Sequence, residues 1–410
     1  MTEAQVSTYP MVALSRVAEI QLGKMLQPAP SSSFDRETTY LRAGSLSGLG
    51  DGDELPRMWC SPSDIQKYSL RQGDLLVAEG GDVGRTEFAP ELSEPTVIQN
   101  SLHRVRTSSN DIRFLRYGIE NIYNSGWLDV VCNKSTFGHL TVDKLSSLQI
   151  PRPTFAVQRA IADYLAAETA RIDALIAKKQ RLRSLITDRL AGRVEIAVRT
   201  LAASWPPRPL KRSVSTVQVG IVITPAAWYS DSGVLALRGV NVKPGRLDLE
   251  DVVSITDEGH QIHAKSVLHA GDVVVVRTGK AGAAAVIPEE LDGCNCIDLV
   301  IVRPSGQLLP DYLELVLNSN WTQQHIEEHS VGTIQSHFNV ESMKELPLPV
   351  PSIDVQRVTL NEINRLALVA IQLDALLEEQ LILLAERRQA LITAAVTGHL
   401  DIPEIVHGNH

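Results

Sequence analysis

The sequence predicts an α+β protein: two duplicated mixed α/β domains separated by two long helices forming an antiparallel coiled coil. Three observations predict it. The 410-residue chain matches itself once, and most of the matches share an offset of 198 residues. Each copy opens with a stretch rich in Gly, Pro and β-branched runs. Each then closes with about forty proline-free residues whose apolar positions recur every three or four. The expected boundaries are 1–150 for the first globular domain, 151–203 for a central helix, 204–350 for the second globular domain and 351–410 for a C-terminal helix and tail.

The matches keep their order along the chain. Leu41-Arg42-Ala43-Gly44 resembles Leu237-Arg238-Gly239-Val240, and Gly73-Asp74-Leu75-Leu76-Val77 resembles Gly271-Asp272-Val273-Val274-Val275. The turn Gly81-Asp82-Val83-Gly84 lies opposite Gly279-Lys280-Ala281-Gly282. Thr136 to Leu140 resembles Thr333 to Phe338, and Ile150-Pro151-Arg152-Pro153 resembles Leu348-Pro349-Val350-Pro351. Val157-Gln158-Arg159 recurs as Val355-Gln356-Arg357. Leu185-Ile186-Thr187 with Gly192 reads as the partner of Leu391-Ile392-Thr393 with Gly398, at the larger offset of 206.

Within the globular parts, residues 74–77, 272–276 and 299–302 read as buried strands bounded by glycine turns, with short helices near 111–124 and 310–328. The long helices should begin after Thr154 and Ser352, residues suited to an N-cap, and end near Gly192 and Gly398. The growing offset predicts a second helix longer by about two turns. At ~1.5 Å per residue, ~40 residues make a rod of ~60 Å. A helix with one apolar stripe needs a partner, and the chain contains two. Two related heads on a rod suit a polymer such as duplex DNA, which repeats every ~34 Å.

Composition excludes several classes. The net charge is −9, with Lys and Arg totalling 39 and Asp and Glu 48, so this is no simple basic coat for nucleic acid. No apolar run approaches a membrane span. The N-terminal MTEAQVSTYP has no signal-peptide pattern. Cys60, Cys132, Cys294 and Cys296 suit a reducing cytoplasm rather than a disulfide framework.

At these residues the chain resembles the specificity subunits of type I restriction–modification systems. The resemblance covers essentially the whole chain. It is carried by Ile150-Pro151 through Gln158-Arg159-Ala160-Ile161-Ala162-Asp163-Tyr164-Leu165, by Ile172-Asp173-Ala174-Leu175-Ile176, and by the second copy from Pro349 through Gln356-Arg357 to Leu373-Asp374-Ala375-Leu376-Leu377. The stretches 237–241 and 270–274 also look like this family's recognition domains. The resemblance implies two target-recognition domains, each reading half of a split site in double-stranded DNA, with the helical pair setting the unread gap. It implies a subunit that does no chemistry and needs no cofactor of its own. Two modification subunits, which methylate adenine with S-adenosylmethionine, would dock on it. Restriction subunits, using ATP and Mg, would join through them. The segment Val358 to Ile363 is less like the family, which leaves the helical register open.

The residues agree with an absence of chemistry. A base-flipping adenine methyltransferase needs an Asn/Asp-Pro-Pro-aromatic grip, and Trp205-Pro206-Pro207-Arg208 has only the prolines. In the phosphate-loop pattern, Val274 stands where the first Gly should be and Ala281 follows Gly279-Lys280. Cys294-Asn295-Cys296 has no second cysteine pair, and His260-Gln261-Ile262-His263 has no metalloprotease spacing.

Arg reads guanine edges and Asn or Gln read adenine, while phosphates attract Lys, Arg, Ser and backbone N–H groups. On that chemistry Arg42, Arg85, Lys134, Ser135, Arg238, Lys280, Gln335 and Ser336 are the candidate DNA contacts; a satisfied turn or helix cap is the plainer role for any one of them. His139 and His337 recur in both copies and read as structural. Leu190, Val194, Leu381 and Leu383 are the candidate partner-docking residues. Residues 1–150 carry 14 Lys and Arg against 18 Asp and Glu. Phosphate attraction dominates DNA affinity, so partner subunits should supply much of the grip. A non-catalytic assembly scaffold whose heads bind protein is the alternative.

Overall fold

The computed structural model describes residues 7–47, 54–126, 139–278, 281–330 and 339–402. Contacts divide the chain into two units, Met1–Lys179 with Glu379–His410, and Gln180–Glu378. Each joins one globular head to part of each long helix.

In the first unit the chain runs through β1 (Met11–Ala13), β2 (Glu19–Leu22), β3 (Arg36–Leu41), β4 (Arg57–Cys60), α1 (Pro62–Tyr68), β5 (Leu75–Ala78), β6 (Thr86–Phe88), β7 (Thr96–Ile98), β8 (Leu102–Arg106), α2 (Ile112–Asn124), α3 (Val142–Ser147) and β9 (Gln149–Pro151). It then enters α4 (Phe155–Ser204). A four-stranded antiparallel sheet has the order β2-β8-β5-β6, and a second sheet has the order β4-β3-β7 with β3 and β7 parallel. Local chemistry sets the helix starts. Ser61 and Asp64 form a capping box around Pro62, and Asp111 accepts the Arg113 N–H at the start of α2.

The second unit repeats this plan. It comprises β10 (Arg208–Pro209), β11 (Val214–Val219), β12 (Tyr229–Ser230), β13 (Val234–Leu237), β14 (Val242–Lys243), β15 (Arg246–Leu247), β16 (Val253–Ile255), α5 (Asp257–Ile262), β17 (Val273–Val276), β18 (Ala284–Val286), β19 (Asn295–Cys296), β20 (Leu299–Pro304), α6 (Pro310–Leu317), α7 (Asn320–Ser330), α8 (Val340–Glu345) and β21 (Pro347–Leu348), followed by α9 (Ile353–Thr397). The order β11-β20-β17-β18 matches β2-β8-β5-β6, and the parallel pair β13-β19 matches β3-β7. The duplication is therefore one of topology as well as of sequence.

Each core includes both long helices. In the first unit Ile161, Ala162 and Leu165 of α4 and Ile392, Ala395 and Val396 of α9 pack with Leu75, Val77, Val105 and Phe114. In the second, Val198 and Leu201 of α4 and Leu360 of α9 pack with Val273, Val275, Val300 and Tyr312. The helices run antiparallel along their seam. Asp173 accepts Arg388 Nε at 2.9 Å and Lys179 meets Gln380 in the first unit. Arg183 binds Asp374 at 2.7 Å and Arg193 binds Glu362 at 2.6 Å in the second.

Three expectations about the helices need correction. Gly192 does not end α4; the helix passes through it, exposed and without close neighbours, and stops at Ser204, just before Pro206-Pro207. The second helix is shorter, at 45 residues against 50. There is no insertion either. The buried pairs Ala162/Leu360, Leu165/Ile363 and Val198/Val396 hold the offset at 198 from end to end. The match at offset 206 is a slip of eight residues, slightly more than two helical turns. An apolar stripe slid by two turns still resembles itself, although Leu185 is solvent-exposed and Leu391 packs against a core.

Candidate nucleic-acid interface

The register of the first unit's main sheet gathers its turns at one end. Leu22 of β2 pairs with His103 of β8, Ala78 of β5 with Leu102, and Val77 with Thr86 of β6. The segments leaving β2 and β5 and those entering β6 and β8 therefore share one edge. Gly23 lies against the Gln99 backbone, where a Cβ would come within 2.3 Å of the carbonyl oxygen. Lys24 donates to Ile98 O, and Asn100 donates back to Lys24 O, both at 2.9 Å. The 79–85 turn closes through Gly84 N to Ala78 O at 2.9 Å, with Gly81 and Gly84 at positive φ. Leu140 N binds Glu79 O at 2.8 Å, so the chain emerging after residue 138 reaches the same edge.

The second unit reproduces this frame. Gly220 lies against the Cys296 backbone as Gly23 lies against Gln99, and Asp298 donates to Ile221 O at 3.0 Å. Gly282 donates to Val276 O at 2.8 Å, at the place of Gly84. Beneath each frame sits a matched ion pair. Asp74 binds Arg106, and Asp272 binds Arg303 at 2.8 and 2.7 Å through Nε and Nη2. The same carboxylates accept the Arg71 and His269 backbone N–H groups, which ties the preceding turns to the strands.

Side chains on the two frames differ. The first carries Gln99, Asn100 and Ser101. Gln99 binds Asn100 and Ser101 side chain to side chain, and Ser101 Oγ accepts the Ala43 N–H at 2.9 Å. The second carries Cys296, Ile297 and Asp298, and Asp298 holds Arg277 at 2.7 Å and Thr278 at 3.1 Å. His139 Nδ1 meets Glu79 at 3.0 Å beside the first turn. The buried His103 donates through Nε2 to Leu140 O at 2.6 Å, and burial holds its imidazole below the ordinary range.

Of the sequence-predicted contacts, Arg42 and Arg85 reach this edge. Arg42 is exposed, and its guanidinium has no partner among the described residues. Arg85 leans on Leu46 O at 3.4 Å and Asp82 at 3.8 Å. Arg238 instead turns inward, binding the Asp251 carbonyl at 2.9 Å and its carboxylate at 3.0 Å. Lys134, Ser135, Lys280, Gln335, Ser336 and His337 lie outside the described residues. Among the helix positions, Leu383 is exposed, Leu190 and Leu381 are half-buried, and Val194 packs against the second core. Sequence reasoning missed the Gln99-Asn100-Ser101 and Arg277-Asp298 groups. The signal was present as an amide-rich turn directly after the Thr96-Val97-Ile98 strand. No helix among the described residues is long and apolar enough to cross a membrane, and no cluster of three His, Cys, Asp or Glu there could hold a metal ion.

Comparison with known proteins follows this geometry. Residues 7–183 match the family described as the type I restriction modification DNA specificity domain. The type I restriction enzyme EcoBI specificity subunit of Escherichia coli is 21% identical over 379 residues, which cover 84% of this chain and 78% of that protein. The StySPI specificity subunit of Salmonella potsdam is 24% identical over 210 residues, 49% of this chain and 44% of that one. A solved structure described under complex assembly and conformational transition of the type I R-M system aligns over 97% of this chain and 100% of its own, with a TM-score of 0.68 and 15% identity. That likeness is one of fold.

Proposed function

Because the chain belongs to the family of type I restriction–modification specificity subunits, we propose that it reads a bipartite site in double-stranded DNA, one head to each half-site. In this reading the turns at the end of each main sheet approach the duplex. The long helices dock modification subunits and set the gap between half-sites. Methylation, translocation and cleavage, with S-adenosylmethionine, ATP and Mg, belong to the partners, and this chain performs no catalysis.

One observation carries the reading. The two heads share one backbone frame yet place different side chains on it, Gln99-Asn100-Ser101 in one and Cys296-Ile297-Asp298 with Arg277 in the other. A conserved frame with exchanged polar groups is what two readers of different base sequences require. The heads carry no basic excess, so DNA affinity for the chain alone should be weak and should rise when modification subunits add phosphate contacts. Methylome sequencing of cells carrying the chain with its partners tests the proposal. Exchange of residues 1–150 for those of a relative should change one half of a bipartite methylated motif and leave the other half intact. An unchanged motif would sink it and favour a protein-binding scaffold.

A further inference from the structure

The constant offset of 198 residues lets α4 and α9 be compared position by position, and their outward faces are not alike. Within the second unit, Leu368, Val369, Ile371 and Leu376 of α9 are 57, 48, 65 and 54% exposed. Their register equivalents on α4, in the first unit, are Ala170, Arg171, Asp173 and Lys178, all exposed. Asp173 is engaged there with Arg388. The seam of α9 in the second unit is already occupied, since Leu377 is buried and Asp374 is bound by Arg183. The exposed side chains therefore lie on other faces of a helix that is apolar nearly all round. Such a helix is normally a buried one, and a contiguous apolar patch of this kind marks a partner site. Leu182 and Leu185 of α4 add exposed apolar surface to the same unit.

We propose that the two units are unequal docking places. The helical surface of Gln180–Glu378 takes one modification subunit tightly, through an apolar helix face on that subunit, and the charged surface of the first unit takes the second copy weakly. This rests on the reading that modification subunits dock on the helices. The occupant follows from the family assignment, because the named relatives are specificity subunits of type I restriction enzymes. Duplication supplies two places, but apolar burial scales with the area covered, and only one place offers it in quantity. A one-to-one complex should accordingly form before the two-to-one complex.

Titration of the full chain with its purified cognate modification subunit, followed by native mass spectrometry and calorimetry, tests the inference. The expected result is an accumulating one-to-one species and two affinities separated by about tenfold or more. The double variant Ile371→Glu with Leu376→Glu should lose the tight step and keep the weak one, with an unchanged melting transition showing that it is folded. Arg171→Val with Asp173→Ile should strengthen the weak step. Two equal affinities, or an unaffected Ile371→Glu/Leu376→Glu variant that still binds two subunits, would overturn the inequality while leaving docking in place. Two-step binding that no helix variant alters would overturn the docking reading itself. Dimerisation of the chain alone, abolished by Ile371→Glu, would make a second copy the occupant and overturn the proposal.

Discussion

Gln158 and Gln356 make the same set of hydrogen bonds in the two halves of the chain. Gln158 Oε1 accepts the Asp111 N–H at 2.9 Å, and its Nε2 donates to Pro153 O and Asn110 Oδ1, both at 3.0 Å. Gln356 Oε1 accepts the Leu309 N–H at 2.9 Å, and its Nε2 donates to Pro351 O at 2.9 Å and Gln307 O at 2.8 Å. Both side chains are almost fully buried. Each lashes the start of a head helix to the first turn of a long helix. Replacement by Leu strands one backbone donor and two acceptors without changing volume much. Gln158→Leu and Gln356→Leu should each cost ~2–3 kcal/mol, read from urea unfolding, and an equilibrium loss below ~0.5 kcal/mol would show the bonds to be incidental.

Two glycines should respond to alanine in opposite directions. Gly192 lies exposed in the interior of α4 with nothing near its missing Cβ, so Gly192→Ala should raise stability by ~0.5–1 kcal/mol. Gly23 has the Gln99 carbonyl where a Cβ would go, so Gly23→Ala should cost ~3 kcal/mol through backbone displacement. Thermal melting of both variants checks the sign.

The helix seam should be sensitive to acid. Hydrogen bonds from Arg183 hold the Asp374 carboxyl below the usual carboxylate range. Since the folded value is depressed, the pairing is fully present above the ordinary carboxylate pKa of ~4 and fades as the pH falls through the lower folded value. Asp374→Asn should be less stable than the parent at pH ~7, with the gap closing in acid and shrinking in high salt. A gap that widens on acidification would contradict the assignment.

On the DNA side, Arg42→Ala should weaken binding of the assembled complex across sequences and lower the salt slope by about one. Asn100→Ala should relax one base position in one half-site by ~1–3 kcal/mol, and leave the other half-site untouched. Competition binding with single-base variants of the methylated site separates the two.

Thiol labelling offers a simple control on the heads. Burial pushes the Cys294 thiol up to about 11 and the Cys296 thiol higher still, and Cys60 is also raised by burial. All three should react slowly with iodoacetamide in the folded chain and rapidly in urea, because the thiolate is the nucleophile.

Much of this architecture was legible because duplication is a signal that survives the weakness of any single motif. Asp74 and Asp272 were visible as matching letters, and their shared role as anchors for Arg106 and Arg303 became visible only in three dimensions. The helical seam was legible from its apolar period, but that same period concealed the register, since a stripe slid by two turns matches itself. Gly192 read as a stop because glycine often ends helices, whereas here the proline pair after Ser204 ends α4. The interface was harder. Arg42 and Arg238 occupy matching places in sequence, yet Asp251 captures one and leaves the other exposed. The polar turn at Gln99 was overlooked because nothing in a sequence announces which turns a sheet gathers at one end.

Thr8 donates its backbone N–H to Thr397 O at 2.9 Å and its hydroxyl to the same oxygen at 3.1 Å. The polypeptide is thus almost a closed ring with a single nick in the first unit, and the opposite crossing points lie near 179/180 and 378/379. A short linker across the nick would allow the ring to be opened elsewhere, for instance in the chain between Ser204 and Arg208, with the order of elements rotated and the set of contacts within each unit preserved. Gene order in such a protein is free to change while the arrangement of its two readers stays constant.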